Sequence, residues 1–243
     1  MKISLCCAVI CALMLSSCQQ GESVATDAKA TTPTVKASAA NPVVVELFQS
    51  QGCSSCPPAN AALNAIADRP NVIALSFAVT YWDRLGWKDV FADKAYTQRQ
   101  YDYVRPLGNS NVYTPQIVIN GASDLTGIKS GELARAVSTS SGVSGGPTII
   151  VENATVKIAK GVGSADIWLV RYDPKIQNVA IRSGENSGRT LPHKNIVRSL
   201  IKLGKWNGSA ASYPLPKKSN AGWKTVILVQ RAVAGEIIAA KVI

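Results

Sequence analysis

Cys53 and Cys56 stand two residues apart in the stretch Gln49-Ser50-Gln51-Gly52-Cys53-Ser54-Ser55-Cys56-Pro57-Pro58-Ala59-Asn60. Two thiols at this spacing can exchange a disulfide with another thiol, supply part of a metal site, or staple the chain. A staple is the poorest fit. The entropy that a disulfide removes from the unfolded chain grows with loop length, and this loop is short. A metal site needs further soft ligands. The chain has one histidine, His193, and its two methionines are Met1 and Met14. Copper handling would therefore rest on Cys53, Cys56 and His193. A tetrahedral zinc site would lack its fourth soft ligand. No resident metal and no cofactor is expected.

The N-terminus sets the compartment. Lys2 precedes an almost wholly apolar run of thirteen residues, Ile3 to Leu15. That is too short to span a bilayer, and it reads as a signal segment over 1–17. Leu15-Ser16-Ser17-Cys18 follows and resembles a bacterial lipobox, which implies cleavage before Cys18 and its lipidation. Ordinary cleavage further on, near Ala25, is the competing reading. Gln19 after the cysteine fits passage to the outer membrane. Cys6, Cys7 and Cys11 leave with the signal, so Cys53 and Cys56 are the remaining thiols. An exported chain is in an oxidising compartment, where a disulfide between them is permitted. Residues 18–42 are rich in Ala, Thr, Ser and Lys and read as a flexible tether.

Charge divides what remains. Residues 43–140 hold eight Lys+Arg and eight Asp+Glu, whereas 141–243 hold fifteen and five. Ser138–Pro147 (S-T-S-S-G-V-S-G-G-P) reads as a small-residue linker. Two domains are expected, 43–140 and a basic one over 147–243. The basic half suits anionic headgroups, peptidoglycan, an acidic partner or simple solvation. Nucleic acid is not expected as a partner of an exported, anchored chain.

Several elements must position the cysteines. Val43–Phe48 reads as a buried strand and Pro58–Asp68 as a helix with proline in its first turn. Asn71–Ala78 reads as a second strand, parallel to the first across a βαβ crossover. A helix is expected over Lys88–Val104, a third strand over Gln116–Asn120 and a last helix over Gly131–Ser138. The order of strand, C-x-x-C, helix, strand, helix and then Thr114-Pro115 before a strand resembles the thioredoxin fold. E-L-F-x-S-Q-G-C-S-S-C-P-P-A, Y-W-D-R-L-G-W-K-D, Y-T-P-Q-I-V-I-N-G and G-E-N-S-G-R resemble, along nearly the whole chain, a family of secreted bacterial thioredoxin-like proteins carried as a domain of unknown function.

The resemblance implies an α/β thioredoxin-like fold with a cis bond before Pro115, which would pack against the cysteines. Cys53, at a helix start whose free N–H groups favour a thiolate, is expected to be the exposed attacking residue. Cys56, one turn on, is expected to be buried and to resolve the mixed disulfide. Ser54-Ser55 replaces the Gly-Pro of common thioredoxins and leaves the direction of exchange open. Glu46 interrupts an apolar strand. It matches the buried acid that takes the resolving cysteine's proton, or else it faces outward from an edge. Tyr81, Trp82 and Trp87 follow the second strand and reach the edge that carries Cys53. They line a substrate groove with Thr114, or cover the sheet end against the second domain.

Beyond 147, short apolar runs separated by turn residues predict an antiparallel β-rich domain. They are Thr148–Val151, Ile167–Tyr172, Val179–Ile181, Thr225–Val229 and Ile237–Val242. Gly184-Glu185-Asn186-Ser187-Gly188-Arg189 reads as a hairpin loop. Arg189 or His193 is a candidate to lean over Cys53 and stabilise its thiolate, although a lone histidine is more often structural. The expected activity is thiol–disulfide exchange with protein or peptide thiols, assisted by a redox partner protein, in a periplasmic protein held to the membrane by its lipid. A binding module with a locked disulfide is the competing class.

Overall fold

The computed structural model describes residues 35–217 and 220–243. The expected signal segment, Cys18 and most of the expected tether lie outside the described residues. Residues 35–42 dock on the chain that follows the third helix. Gly142 N donates to the carbonyl of Val35 and Val143 N to that of Pro42, each at 2.9 Å.

The first half runs β1 (Val43–Gln49), α1 (Cys56–Ile66), β2 (Val72–Ala78), α2 (Lys94–Val104), β3 (Gln116–Ile119), β4 (Ser123–Leu125) and α3 (Glu132–Thr139). The second half is all strand: β5 (Ile149–Glu152), β6 (Thr155–Ile158), β7 (Ala165–Asp173), β8 (Gln177–Ala180), β9 (Thr190–His193), β10 (Ile196–Trp206), β11 (Ala211–Pro214), β12 (Lys224–Arg231) and β13 (Ile237–Val242). Eight strands form one mixed sheet in the order β13-β12-β7-β10-β2-β1-β3-β4. β1 is parallel to β2 and antiparallel to β3. β10 joins β2 in parallel at Ile196↔Ser76. Strands β11-β6-β5 form a second sheet and β8-β9 a two-stranded ribbon. The described residues form one compact unit, and the expected boundary at 138–147 falls inside it.

β1 is buried along its whole length, so it reads as a continuous apolar run rather than an alternating one. Val43, Val45 and Leu47 face Ala59, Leu63 and Ile66 of α1. Val44 and Phe48 face the opposite side, with Tyr96 and Tyr103 of α2. The buried stripe of α2 is Tyr96, Arg99, Gln100 and Tyr103, the i, i+3, i+4, i+7 set of an amphipathic helix. Two of the four are polar, and each finds a partner in the sheet.

Two expectations about the first half are corrected. The helix expected from Lys88 starts at Lys94. Asp93 is its N-cap, with the carboxylate accepting from Ala95 N at 2.8 Å, and Asp83–Leu85 forms a single 3-10 turn before it. Cys53 is not exposed: Cys53 and Cys56 both have 0% relative exposure, and α1 opens at Cys56 rather than at Cys53. Among the described residues, no helix is long and apolar enough to cross a membrane.

Candidate functional site

The cysteines lie where the chain leaves β1 and turns into α1. Cys53 and Cys56 are disulfide-bonded, with Cα atoms 5.4 Å apart. The turn closes with Cys53 N on Ser50 O at 3.1 Å and Cys56 N on Cys53 O at 3.2 Å. Ser55 is the N-cap residue of α1, but its side chain makes no cap bond. Its hydroxyl instead lies 3.4 Å from Cys53 Sγ and 3.4 Å from Thr114 O.

Thr114 completes the sulfur's surroundings. The Thr114–Pro115 bond is cis, and Pro115 is buried. Thr114 Oγ1 lies 3.4 Å from Cys53 Sγ and accepts from Trp82 Nε1 at 2.7 Å. The indole N–H fills a lone pair of the hydroxyl, so the hydroxyl hydrogen is free to point at the sulfur. Thr114 thus aims an O–H donor at the sulfur, while the single hydroxyl hydrogen of Ser55, whose oxygen is 3.4 Å from both, is divided between the sulfur and the Thr114 carbonyl. Donors of this kind favour a thiolate over a thiol once the disulfide opens.

The loop before Cys53 is held as firmly. Gln51 N donates to Asp89 Oδ2 at 2.7 Å, and Gln51 Oε1 accepts from Trp87 Nε1 at 2.8 Å. Asp89 also accepts from Phe91 N at 2.9 Å. It is 2% exposed, and burial pushes its pKa up from 3.8 to about 6. Asn60 Nδ2 donates to Gln49 Oε1 at 3.1 Å, which ties α1 to the end of β1.

The turn between β8 and β9 lies over this loop. Asn186 is fully buried, and its Nδ2 donates to Gln51 O at 2.9 Å and to Cys53 O at 2.8 Å. Arg189 Nη1 donates to Asn186 Oδ1 at 2.8 Å, which fixes the amide's orientation. Glu185 Oε2 accepts from Ser54 N at 3.0 Å. Ser54's side chain and backbone N–H hold the Glu185 carboxyl below its usual range.

The structure therefore brings Cys53, Cys56, Thr114, Pro115, Trp82 and Trp87 together around one turn. Tyr81 stands aside. Its hydroxyl donates to Gln100 Oε1 at 3.2 Å, and burial raises its pKa to about 12. Arg189 acts on the turn through Asn186.

Glu46 is not brought to the cysteines. It lies on the α2 face of β1, fully buried, with Oε1 accepting from Arg99 Nε at 2.7 Å and Oε2 from Arg99 Nη2 at 3.1 Å. Tyr103 O–H also donates to Oε2, and Gln230 Nε2 donates to the Tyr103 oxygen at 2.9 Å. Pairing this charge and bonding its oxygens makes it a buried structural pair.

His193 is fully buried, neither ring nitrogen has a partner among the described residues, and its ring meets Phe91 edge-on at 6.1 Å. Burial lowers its pKa to about 4. The described residues contain no group of three or more His, Cys, Asp or Glu placed to hold a metal, so Cys53, Cys56 and His193 do not form a ligand set.

Sequence reasoning missed Asp89 and Asn186. A carboxylate read as lying in a helix and an amide in a Gly-rich turn gave no signal, because each is defined by a contact with backbone far away in sequence.

The family described as "Protein of unknown function (DUF1223)" matches residues 44–230. The chain belongs to that family. Within the solved structures, it is similar to protein AGR_C_4864 from Agrobacterium tumefaciens, at 30% identity and a TM-score of 0.67, over 87% of this chain and 95% of that one. HBP35 of Porphyromonas gingivalis shares the fold at 12% identity and a TM-score of 0.54, over 87% of this chain and 76% of that one. No curated protein matches the chain.

Proposed function

We propose that this family member is a thioredoxin-like protein whose Cys53–Cys56 pair exchanges disulfides with protein or peptide thiols. The observation that carries the reading is the pair of hydroxyls, Ser55 and Thr114, each 3.4 Å from Cys53 Sγ. The frame supports it. The order β1-α1-β2-α2-β3-β4-α3 and the sheet order β2-β1-β3-β4, with the cysteines after β1 and Pro115 before β3, fit the thioredoxin-like unit that the reading calls for.

The exchange is a pair of displacements. A substrate thiolate attacks Cys53 Sγ, the Cys53–Cys56 bond breaks, and Cys56 leaves as a thiolate that takes a proton. A second substrate thiolate then attacks the substrate sulfur of the mixed disulfide. Cys53 leaves as a thiolate beside the two hydroxyls. The pair gains two electrons and the substrate thiols become a disulfide. Run backwards, the same steps reduce a substrate disulfide, and a redox partner protein of matched potential resets the pair.

Trapping tests the roles. A Cys56→Ser variant should accumulate mixed disulfides on Cys53, and a Cys53→Ser variant should form none. Faster alkylation of Cys56 than of Cys53 in the reduced protein at neutral pH reverses the assignment.

The complete burial of both cysteines favours a second reading, in which the disulfide is locked and the module only binds. A midpoint potential below about −300 mV identifies a structural disulfide of that kind.

The proposed setting is the periplasm, with Cys18 lipidated and the protein held to the outer membrane. Unchanged membrane fractionation of a Cys18→Ala variant removes that part of the reading.

A further inference from the structure

Both sulfurs are covered, yet Ser54 and Ser55 between them are exposed. The tip of the β8–β9 ribbon, residues 181–189, is bonded to the backbone on both sides of Cys53, at Gln51 O, Cys53 O and Ser54 N. We propose that this tip is a gate over the disulfide, latched by Asn186, which excludes protein thiols while closed and so sets which thiols the pair meets. The proposal rests on the exchange reading above.

Three observations carry it. First, the tip is an internally bonded body. Ile181 N donates to Arg189 O, Gly188 N to Ile181 O, Ser187 N to Gly184 O and Arg189 N to Asn186 O, at 2.9 to 3.1 Å. Gly184 and Gly188 sit at φ +78° and +79°, the left-handed conformation that lets the tip close on itself. Its own bonds need not break when it moves.

Second, its polar contacts with the cysteine side are few. Asn186 makes two to the Cys53 loop, Glu185 makes one to Ser54 N, and Ser183 Oγ donates to Gly86 O at 2.6 Å. Third, the ribbon is anchored away from the tip. Asn64 Nδ2 of α1 donates to Pro192 O of β9 at 3.2 Å. The tip can therefore lift while β9 stays docked on α1.

Asn186 is a positioning residue. Its buried amide is fully used, with both N–H groups on backbone carbonyls and its oxygen on Arg189. Those carbonyls flank Cys53, so the latch also sets the turn that presents Cys53 Sγ to Ser55 and Thr114. A thiol on a folded protein cannot reach either sulfur past the tip, whereas a small dithiol needs far less clearance.

The test uses the full, oxidised chain and two reductants, dithiothreitol and a reduced protein dithiol of the thioredoxin type. Loss of the Cys53–Cys56 bond is followed by an alkylation mass shift. Asn186→Ala should speed reduction by the protein dithiol about tenfold relative to dithiothreitol, the size expected when two modest hydrogen bonds are lost. Asn186→Asp keeps the shape, removes the donors and should behave alike. Ser183→Ala, far from the sulfurs, should move the ratio in the same direction by less.

A purely structural role for Asn186 lowers stability but leaves the ratio of the two rates at the wild-type value. That result, or equal acceleration of both reagents, overturns the gate and leaves the exchange reading standing. Inertness of the wild type and all three variants toward both reductants overturns the exchange reading and the gate with it.

Discussion

His193 and Asp89 are buried without an opposite charge, and their burial acts on stability in opposite senses as pH falls. Burial lowers the His193 pKa from 6.5 to about 4. The unfolded chain then takes up the proton first, so stability is lost as pH falls from 6.5 toward 4. Burial raises Asp89 from 3.8 to about 6. Here the folded chain takes up the proton first, so stability is gained as pH falls from 6 toward 3.8. The two effects oppose each other over a shared window. His193→Leu removes one of them and sacrifices no hydrogen bond to the described residues, among which neither ring nitrogen has a partner. Urea midpoints measured between pH 7 and pH 4.5 should show this variant gaining on the wild type as pH falls. Parallel curves would show that His193 does not titrate as described. What the sequence made legible at this scale was residue type: two cysteines, a serine pair, a Thr-Pro and an acid inside an apolar strand. It could not show that Glu46 faces α2. The signal that settles this is Arg99, 53 residues away in sequence, donating from the buried stripe of a helix.

Glycines decide how the elements meet where the sequence read a linker. A Cβ at Gly142 would lie 1.9 Å from Asn41 O, and one at Gly146 would lie 2.5 Å from Ile238 O. Neither glycine has a positive φ, so the requirement is close approach of two backbones rather than turn conformation. The small-residue run at 138–147 is therefore packed chain, wedged between residues 35–42 and β13. Gly142→Ala should lower stability by about 1–3 kcal/mol, the usual cost of overpacking, with a matching fall in Tm. A Gly145→Ala variant tests the opposite case: its Cβ meets nothing, and any cost comes from its φ of +77°. If Gly142→Ala melts with the wild type, residues 35–42 are not held there. The strand the sequence hid most completely is β10, the longest in the fold. Its register shifts between Val197 and Ser199 and again between Lys202 and Gly204. Each bulge resets the face on which side chains fall, so no period of two survives across Ile196–Trp206. β1, β2 and β3 were legible because they are short, apolar and bounded by turn residues. α2 was placed too early because Asp93 caps it, while the preceding Asp89 serves the cysteine loop.

At the scale of the molecule, the two halves with different charge share one core. Val44, Phe48, Phe77, Tyr96, Tyr103 and Val118 pack in a single cluster with Val170, Tyr172, Val197, Val226, Leu228 and Ile237. Polar contacts cross the same seam. Asn195 Nδ2 donates to Ala74 O and Ser76 N to Asn195 O, each at 2.9 Å, and the Arg99 guanidinium lies 5.3 Å from the Trp168 ring centre. The parallel step from β2 to β10 hangs on one bridge, so side chains on the α2 face, rather than the ladder, hold the halves together. Removing everything after residue 146 would uncover that face and open the Glu46–Arg99 pair to water. Six covering side chains at roughly 1.5–3 kcal/mol each amount to the whole stability margin of an ordinary domain, about 5–15 kcal/mol. A fragment of residues 35–146 should show no cooperative urea transition, although it contains the cysteines, Thr114 and Pro115. The full chain should unfold in one transition, with far-UV circular dichroism and Trp fluorescence coincident. Two resolved transitions, or a fragment with its own sigmoidal unfolding curve, would make the first half an independent domain. The gate bears on the same result, because Asn186 and Glu185 come from the second half. A fragment that did fold would carry its disulfide uncovered, and its reduction by a protein dithiol would be as fast, relative to dithiothreitol, as in the unlatched full chain.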